Sequence, residues 1–420
     1  MMAQKLSKQT SAKTEDQNGT IAAIVIGSSI AGLTAAKTLA SYVNQVTIIE
    51  RDEPGCGHNF RSGVPQARHA HTLMPGGQEI LEKLFPDIIA ELISKGAVPV
   101  DIEKEVAFFH DGDWRTPQQL GRNLSISCSR PLLESALYQR VTALPNVTVK
   151  RGYQAVGLVA DATGQRVTGV RLRSGRGANA KKLVQPANLV IDASGRQSQA
   201  PKWLASLKLT PPEEWRINAF VGYVTRIYQQ PANFAANWKR LYIRPTPPNS
   251  TRGAIILPEE NGRWVVTLIG IAGDYPPTDE TGFLAFAQSL PTPQFYNAIK
   301  SARPLSAPFG FRQTENRVRR YDKLPRYLEG FMVMGDAVCA LNPVYAQGMT
   351  AAVMGSYALE TTLKIHQHLL AAGSVVGLAA AFHKELHDTL NRLWVQSTYK
   401  DWEWPVTEVT DNAETLPNFA

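Results

Sequence analysis

The chain has little cysteine, no long apolar run and no concentrated charge, and each absence removes a class of function. Cys56, Cys128 and Cys339 are its three cysteines in 420 residues. They are widely spaced, odd in number and form no C-x-x-C pair, which excludes a disulfide framework and a zinc site. A reduced, cytoplasmic setting is the expectation. No apolar stretch reaches the roughly 18–20 residues of a membrane span. Residues 1–20 are polar, lack the apolar centre of a signal peptide and read as a disordered tail. The net charge is +8, but the basic residues are scattered apart from Arg317-Val318-Arg319-Arg320. Without an aromatic–basic platform or a helix-turn-helix pattern, this charge does not point to nucleic acid. It suits attraction of anionic, phosphate-bearing ligands.

What is present is an ordinary globular composition, 44% hydrophobic and 19% charged, long enough for two or three domains around a large core. Its organising stretch is residues 21–50. Ile21 to Ile26 is a short apolar run of the kind buried on both faces of a parallel sheet. Gly27-Ser28-Ser29-Ile30-Ala31-Gly32 follows, then an Ala- and Leu-rich helix is expected over Leu33 to Val43. Val46 to Ile49 is a second strand, closed by Glu50. Strand, glycine turn, helix, strand and acid form the dinucleotide-binding βαβ unit. Gly27 permits the sharp exit from the strand, and Gly32 lets the helix lie close to the sheet. The free N–H groups of Ile30 and Ala31 and the helix dipole suit a pyrophosphate. Glu50 stands 18 residues beyond Gly32, where an acid accepts hydrogen bonds from a ribose diol. Ser29 replaces the expected middle glycine, and its hydroxyl is available for one added bond to the phosphate.

Further along, an irregular glycine-rich segment carries Gln66-Ala67-Arg68-His69-Ala70-His71. A helix is predicted from Gly77 to Leu84 and a strand from Arg122 to Cys128. A helix capped by Ser129 or Arg130, with Pro131 in its first turn, runs to Leu144. Strands are predicted at 147–149, 155–160, 167–172 and 183–191, with turns at Gly164 and at Gly175-Arg176-Gly177. Between 200 and 316 prolines cluster, and strand-like runs appear at 220–228, 253–257 and 264–271. The last is apolar on both alternating faces, suggesting a sheet covered on both sides. A buried strand returns at Phe331 to Asp336, and helices are expected at 349–371 and 375–396.

Three separated motifs then align: Gly27 to Glu50, Leu189 to Arg196 with Asp192 and Gly195, and Gly335-Asp336 with Asn342-Pro343-Val344-Tyr345-Ala346-Gln347-Gly348-Met349. This set resembles the flavin-dependent aromatic hydroxylase superfamily with the p-hydroxybenzoate hydroxylase fold. Gly63 to His71, Trp203-Leu204 and Gly222 to Arg226 are most similar to polyether epoxidase-like flavoproteins. Pro75-Gly76-Gly77 resembles squalene epoxidase more distantly. The resemblance implies an α/β fold: a Rossmann-like FAD-binding domain (21–77, 120–200 and 317–360), an inserted mostly antiparallel β-sheet substrate domain (78–119 and 201–316) and C-terminal helices (361–420).

It also implies roles. Asp336 binds the ribityl hydroxyls and Gly335 allows close approach. Pro343 lies over the flavin ring, and Gln347-Gly348-Met349 presents N–H groups to its pyrimidine edge. Arg51, Arg68 and Arg130 are phosphate or flavin contacts, with surface ion pairing as the plainer role. The implied reaction uses NAD(P)H and dioxygen, through a flavin hydroperoxide, to epoxidise or hydroxylate a small hydrophobic unsaturated or aromatic metabolite. No second dinucleotide domain is present to bind the reductant. His69 and His71 are the candidate acid–base residues, with a hydrogen-bonding scaffold role equally available to them. A reductase of the geranylgeranyl-reductase type and an idle flavin-binding scaffold are the rivals. Halogenation shares the fold, but Trp402-Glu403-Trp404-Pro405 is in the wrong context for its tryptophan–isoleucine–proline signature. His383 and His387 are expected on a solvated helix face rather than at a metal, and Asp111-Gly112-Asp113 as a turn.

Overall fold

The computed structural model describes residues 19–52, 63–115, 124–175 and 180–410. The expectations for 1–18, Cys56, Arg122, Arg176-Gly177 and 411–420 lie outside the described residues.

A five-stranded parallel sheet forms the base, in the order Phe331–Val333, Leu189–Asp192, Ala22–Ile26, Gln45–Glu50, Val147–Arg151. Its central strands are buried almost end to end, because helices and the three-stranded antiparallel sheet of 153–160, 167–174 and 181–186 pack on it and share its core. The chain leaves the Ala22–Ile26 strand between neighbours added in opposite directions. The crevice at the strands' carboxyl ends is therefore a switch point, where this architecture binds ligands. Gly27 turns there with φ +103°, and a Cβ on it would lie 2.7 Å from the Ala193 carbonyl oxygen. Helix Ile30–Leu39 begins at once, three residues earlier than expected, and ends before Val43. A Cβ on Gly32 would sit 1.9 Å from the Gly27 oxygen, so only glycine fits that crossing.

A seven-stranded sheet stands over this base, in the order 309–311, 222–229, 263–270, 252–259, 240–243, 106–110, 113–115. Its pairs are antiparallel except 240–243 with 106–110. Helices Glu280–Gln288 and Gln294–Ile299 cover one face, packing Phe283, Phe286 and Phe295 with Trp264, Val266 and Leu268. The alternate residues Thr267 and Ile269 point the other way, toward the crevice. Asp111 and Gly112, both at positive φ, make the two-residue hairpin between 106–110 and 113–115.

Several boundaries differ from expectation. The run 183–191 is two strands in two sheets: Lys181–Pro186 pairs with Val167–Ser174, and Leu189–Asp192 joins the parallel sheet. Asn188 makes the break, since its N–H donates to the Ala22 carbonyl and its Oδ1 accepts from the Ala22 N–H. Residues 78–119 do not all belong with the insert. Helices Pro75–Leu84 and Ile88–Ser94 place Leu81, Phe85, Ile88 and Leu92 in the large core of the parallel sheet. Strand Glu214–Asn218 likewise pairs outside the seven-stranded sheet, with Asn316–Arg319 and with Glu408–Val409.

The C-terminal helices are not a separate layer. Helix Gly348–Ile365 packs on Ile30–Leu39, and helix Leu378–Trp402 packs on it in turn, longer at its C-terminal end than expected. His383 corrects the expected solvated face: it is 3% exposed, and its Nε2 accepts from the Val333 N–H at 3.1 Å. Tyr321 stacks on it at 5.2 Å, and burial holds its pKa down at about 4.

Candidate functional site

The crevice opens into a cleft between the parallel sheet and the seven-stranded sheet, lined by residues of both. At one end lie Gly27, Ser29, Ile30, Ala31, Glu50 and Arg51. Glu50 is buried at the end of its strand. Its Oε2 accepts from the Ser28 N–H at 3.0 Å and from the Ser28 hydroxyl, and its Oε1 from the Asp52 N–H at 2.9 Å. The first turn of helix Ile30–Leu39 has no side-chain cap, so its N–H groups face the cleft as anion donors.

Ser29 behaves differently from expectation. Its hydroxyl donates to Glu134 Oε1 at 2.6 Å and accepts from Arg130 Nη2 at 2.9 Å. It is thus engaged with the helix Arg130–Thr142 rather than left for a phosphate. Arg130 Nε also bonds Glu134 Oε1 at 2.8 Å, and both side chains are buried. The pair locks the glycine turn to that helix, whose start Ser129 caps by accepting from the Leu132 N–H.

Beside the start of helix Ile30–Leu39 the cleft continues along Gly195, Asp336, Pro343, Gly348 and Met349. Gly335, at φ +63°, packs so tightly that a Cβ would lie 2.8 Å from the Ala31 Cβ, which presents Asp336 to the cleft. Gly348 opens helix Gly348–Ile365, and a Cβ there would meet no atom within 4 Å. Gln347, buried beside it, leaves its Oε1 without a hydrogen-bond partner. Two uncapped helix starts, two acids at strand ends and a glycine bordering empty space make a donor and acceptor set that fits FAD lying along the cleft.

The third wall comes from the seven-stranded sheet: Tyr223, Ile255, Thr267, Ile269 and Phe311. His69 rests against it. Its ring meets Tyr223 edge-on at 4.6 Å, and its Nδ1 bonds Thr225 Oγ1 at 2.8 Å. Thr225 continues to Thr267 Oγ1 at 2.7 Å. Burial, then the charges of His71 and Arg68, pushes the His69 pKa down to about 3. His71 donates from Nδ1 to the His69 carbonyl at 2.7 Å, the only role open to a ring nitrogen facing a carbonyl. Burial and Arg130 lower its pKa to about 4. Both imidazoles are therefore neutral at physiological pH.

Five expected contacts do not line the cleft. Gly32 and Gly335 act through close packing, and Gln347 sits behind the helix start. Arg68 stacks over Phe309 at 4.8 Å. Asp192 is fully buried, accepting from the Ser194 N–H at 2.9 Å and the Ser198 hydroxyl at 2.6 Å, so it shapes the turn that carries Gly195. Conversely, Arg196 and Thr267 went unselected in the sequence. Arg196 lines the cleft while donating to the Glu315 and Leu341 carbonyls. The signal for Thr267 was its place as the one hydroxyl in an apolar strand. Among the described residues no cluster of His, Cys, Asp or Glu is arranged for a metal, and no helix is long and apolar enough to cross a membrane.

A parallel nucleotide sheet, a cleft built for a dinucleotide and a second sheet closing over its far end define an FAD-dependent oxidoreductase. The chain belongs to the FAD binding domain family, whose profile matches residues 20–372. Protein Rv3254 of Mycobacterium tuberculosis (strain ATCC 25618 / H37Rv) is 31% identical over 386 residues, 90% of this chain and 78% of that protein. Among solved structures, the flavin-dependent brominase Bmp2 superposes with a TM-score of 0.67 at 13% identity, over 91% of this chain and 89% of that one. PqsL, a probable FAD-dependent monooxygenase from Pseudomonas aeruginosa, gives 0.64 at 17% identity, over 91% and 94%. p-Nitrophenol 4-monooxygenase PnpA from Pseudomonas putida DLL-E4 gives 0.63 at 15%, over 91% and 88%. At these identities the three share the fold with this chain.

Proposed function

We propose that this protein is an FAD-dependent monooxygenase that uses NAD(P)H and dioxygen to transfer one oxygen atom to a hydrophobic unsaturated or aromatic substrate. The observation that carries the reading is the apolar wall of Tyr223, Ile255, Ile269 and Phe311, which lines the cleft together with Pro343 and Val344 and is relieved by neutral His69 and Thr267. Bound FAD, once reduced, supplies the activation of dioxygen.

The chain's own residues do the rest. The N–H groups at Ile30 and Ala31 would bind the pyrophosphate, Glu50 would orient the adenosine ribose, and Asp336 would receive the ribityl hydroxyls. With FAD bound, the N–H groups of Gly348 and Met349 would stabilise the negative charge that gathers on the flavin on reduction. The apolar wall excludes water from the reacting end. His69 hydrogen-bonds a polar group of the substrate and keeps it in register. Burial keeps its pKa down at about 3, so the ring is neutral, with Nδ1 on Thr225 and Nε2 left to meet the substrate.

Purified protein reconstituted with FAD is expected to oxidise NAD(P)H faster with a suitable alkene or arene, and to incorporate one atom of labelled dioxygen into product. Turnover that continues without oxygen would replace this reading with the geranylgeranyl-reductase type. Colourless protein that takes up no FAD, or a loaded flavin inert to every donor, would leave only a scaffold role. The brominase fold favours no halide chemistry here: Trp404 packs with Val221, Tyr223 and Ile271 behind the cleft wall.

A further inference from the structure

The end of helix Leu378–Trp402 lies outside the 20–372 family match, yet it meets the flavin end of the cleft. Asp401 is completely buried there. Its Oδ1 accepts from the Tyr345 hydroxyl at 2.7 Å and from Asn342 Nδ2 at 2.9 Å, and its Oδ2 from Asn316 Nδ2 at 2.7 Å. Asn316 Oδ1 in turn accepts from the Asn342 N–H and the Ser397 hydroxyl, each at 2.7 Å. Asn342 Oδ1 accepts from the Val344 N–H at 3.2 Å. The network thus grips the back of a short turn whose front, Pro343, Val344 and Ala346, lines the cleft. Ala346 closes that turn at φ +55°, a conformation a residue with a side chain keeps only when its surroundings impose it.

We propose that Asp401 is a positioning residue for the cofactor: through Tyr345, Asn342 and Asn316 it holds residues 343–346 in the shape that receives the flavin ring. The C-terminal helix is on this view part of the FAD site. The proposal rests on FAD as the ligand of the cleft and is independent of oxygen transfer.

A pH dependence follows from the geometry. A carboxylate accepting three hydrogen bonds loses acceptor capacity when it is protonated. Burial raises the Asp401 pKa to about 7 against the pull of Tyr345, Asn342 and Asn316. The other groups facing this network are Lys400, whose Nζ lies 5.0 Å from the Tyr345 ring centre, with Arg244 and Glu403 acting on Tyr345 and Lys400. FAD affinity is therefore expected to fall between pH 8 and pH 6.

The test uses the full chain as wild type, Asp401→Asn and Tyr345→Phe. FAD dissociation constants are read by flavin fluorescence at pH 6 and pH 8, and hydrogen exchange of residues 342–347 is followed without FAD. Wild type is expected to bind more weakly at pH 6. Asp401→Asn should weaken binding about tenfold at pH 8, remove the pH dependence and speed exchange in 342–347. Tyr345→Phe, which loses one bond and keeps its ring, should weaken binding severalfold and carries the test if Asp401→Asn does not fold. Wild-type affinity, pH profile and exchange in the folded variants would overturn the proposal while leaving FAD in place. Wild type that binds no FAD at either pH would overturn the cofactor reading itself.

Discussion

Two glycines that look alike in the sequence are expected to respond oppositely to the same substitution. A Cβ on Gly32 would lie 1.9 Å from the Gly27 carbonyl oxygen and 2.9 Å from its carbon, both main-chain atoms that cannot rotate away. Gly32→Ala must push helix Ile30–Leu39 off its strand. Overpacking of this kind costs about 1–3 kcal/mol, and it displaces the N–H groups meant for the pyrophosphate. A Cβ on Gly348 meets nothing within 4 Å, and its φ is not in the left-handed region. Gly348→Ala therefore leaves the fold intact and stabilises the empty chain by roughly 0.4–1 kcal/mol through the unfolded state. At this chain length that is a rise of about 1 °C in Tm. The space it fills is the space assigned to the flavin. FAD affinity is expected to fall about tenfold or more while apoprotein stability holds or rises slightly. Calorimetry of the apoproteins with FAD titrations separates the two effects. If Gly348→Ala binds FAD as wild type does, the cofactor does not reach the start of helix Gly348–Ile365, and the orientation argued for it is wrong.

Stability should also depend on pH in a defined direction. His69 and His383 are buried with pKa values lowered to about 3 and about 4, so the unfolded chain takes up their protons first. The contribution of these two histidines is then full above about pH 6.5 and lost below it, about 2–3 kcal/mol each at pH 4.5, while the buried Asp401, with its pKa raised to about 7, acts in the opposite direction. Denaturant titrations of wild type and His383→Ala from pH 8 to 4.5 check this: the cost of the substitution should shrink toward pH 4.5, and a cost independent of pH would refute it. His383→Ala leaves the Val333 N–H without its acceptor and should cost about 1–3 kcal/mol in the same assay. Arg130→Met takes the buried guanidinium away from Glu134 and should destabilise the fold by about 3–5 kcal/mol. Adding Glu134→Leu should recover most of that stability and leave FAD binding weak, because Arg130 also borders the cleft. Recovery of both would reduce Arg130 to a structural role.

What could be read from the sequence was whatever is local along the chain. The Gly27 to Glu50 unit is legible because strand, turn, helix and acid follow one another within thirty residues and each has its own steric requirement. Gly335-Asp336 and Pro343 to Met349 are legible for the same reason, since a turn and a helix start are neighbours in sequence. The errors arise where the third dimension redirects a local pattern. Asp192 has the look of Glu50, an acid closing a buried strand. However, the turn after it curls back, and with Ser194 and Ser198 bonded to it Asp192 is fully buried and does not line the cleft, whereas Glu50 does. Ser29 stands where a phosphate contact is expected, but Glu134, 105 positions away, claims its hydroxyl. His383 sits four residues from His387 on one helix, and only the packing of strand Phe331–Val333 beneath it shows that its face is turned inward.

The substrate side is the least legible part for a related reason. Its wall is one face of a sheet whose strands come from positions as far apart as 106 and 311, and no spacing rule links Tyr223, Ile255, Thr267 and Phe311. The alternation within Arg263–Gly270 predicts two covered faces but not what covers them. One face meets Phe283, Phe286 and Phe295, an ordinary core; the other meets the cleft. The same period-2 pattern thus serves packing and recognition at once. A substitution at Val266 is expected to act on stability and one at Thr267 on ligand binding, although the two are adjacent in the chain. The division of labour lies in the pleat, because a single-residue step moves a side chain from the protein's interior to its chemistry.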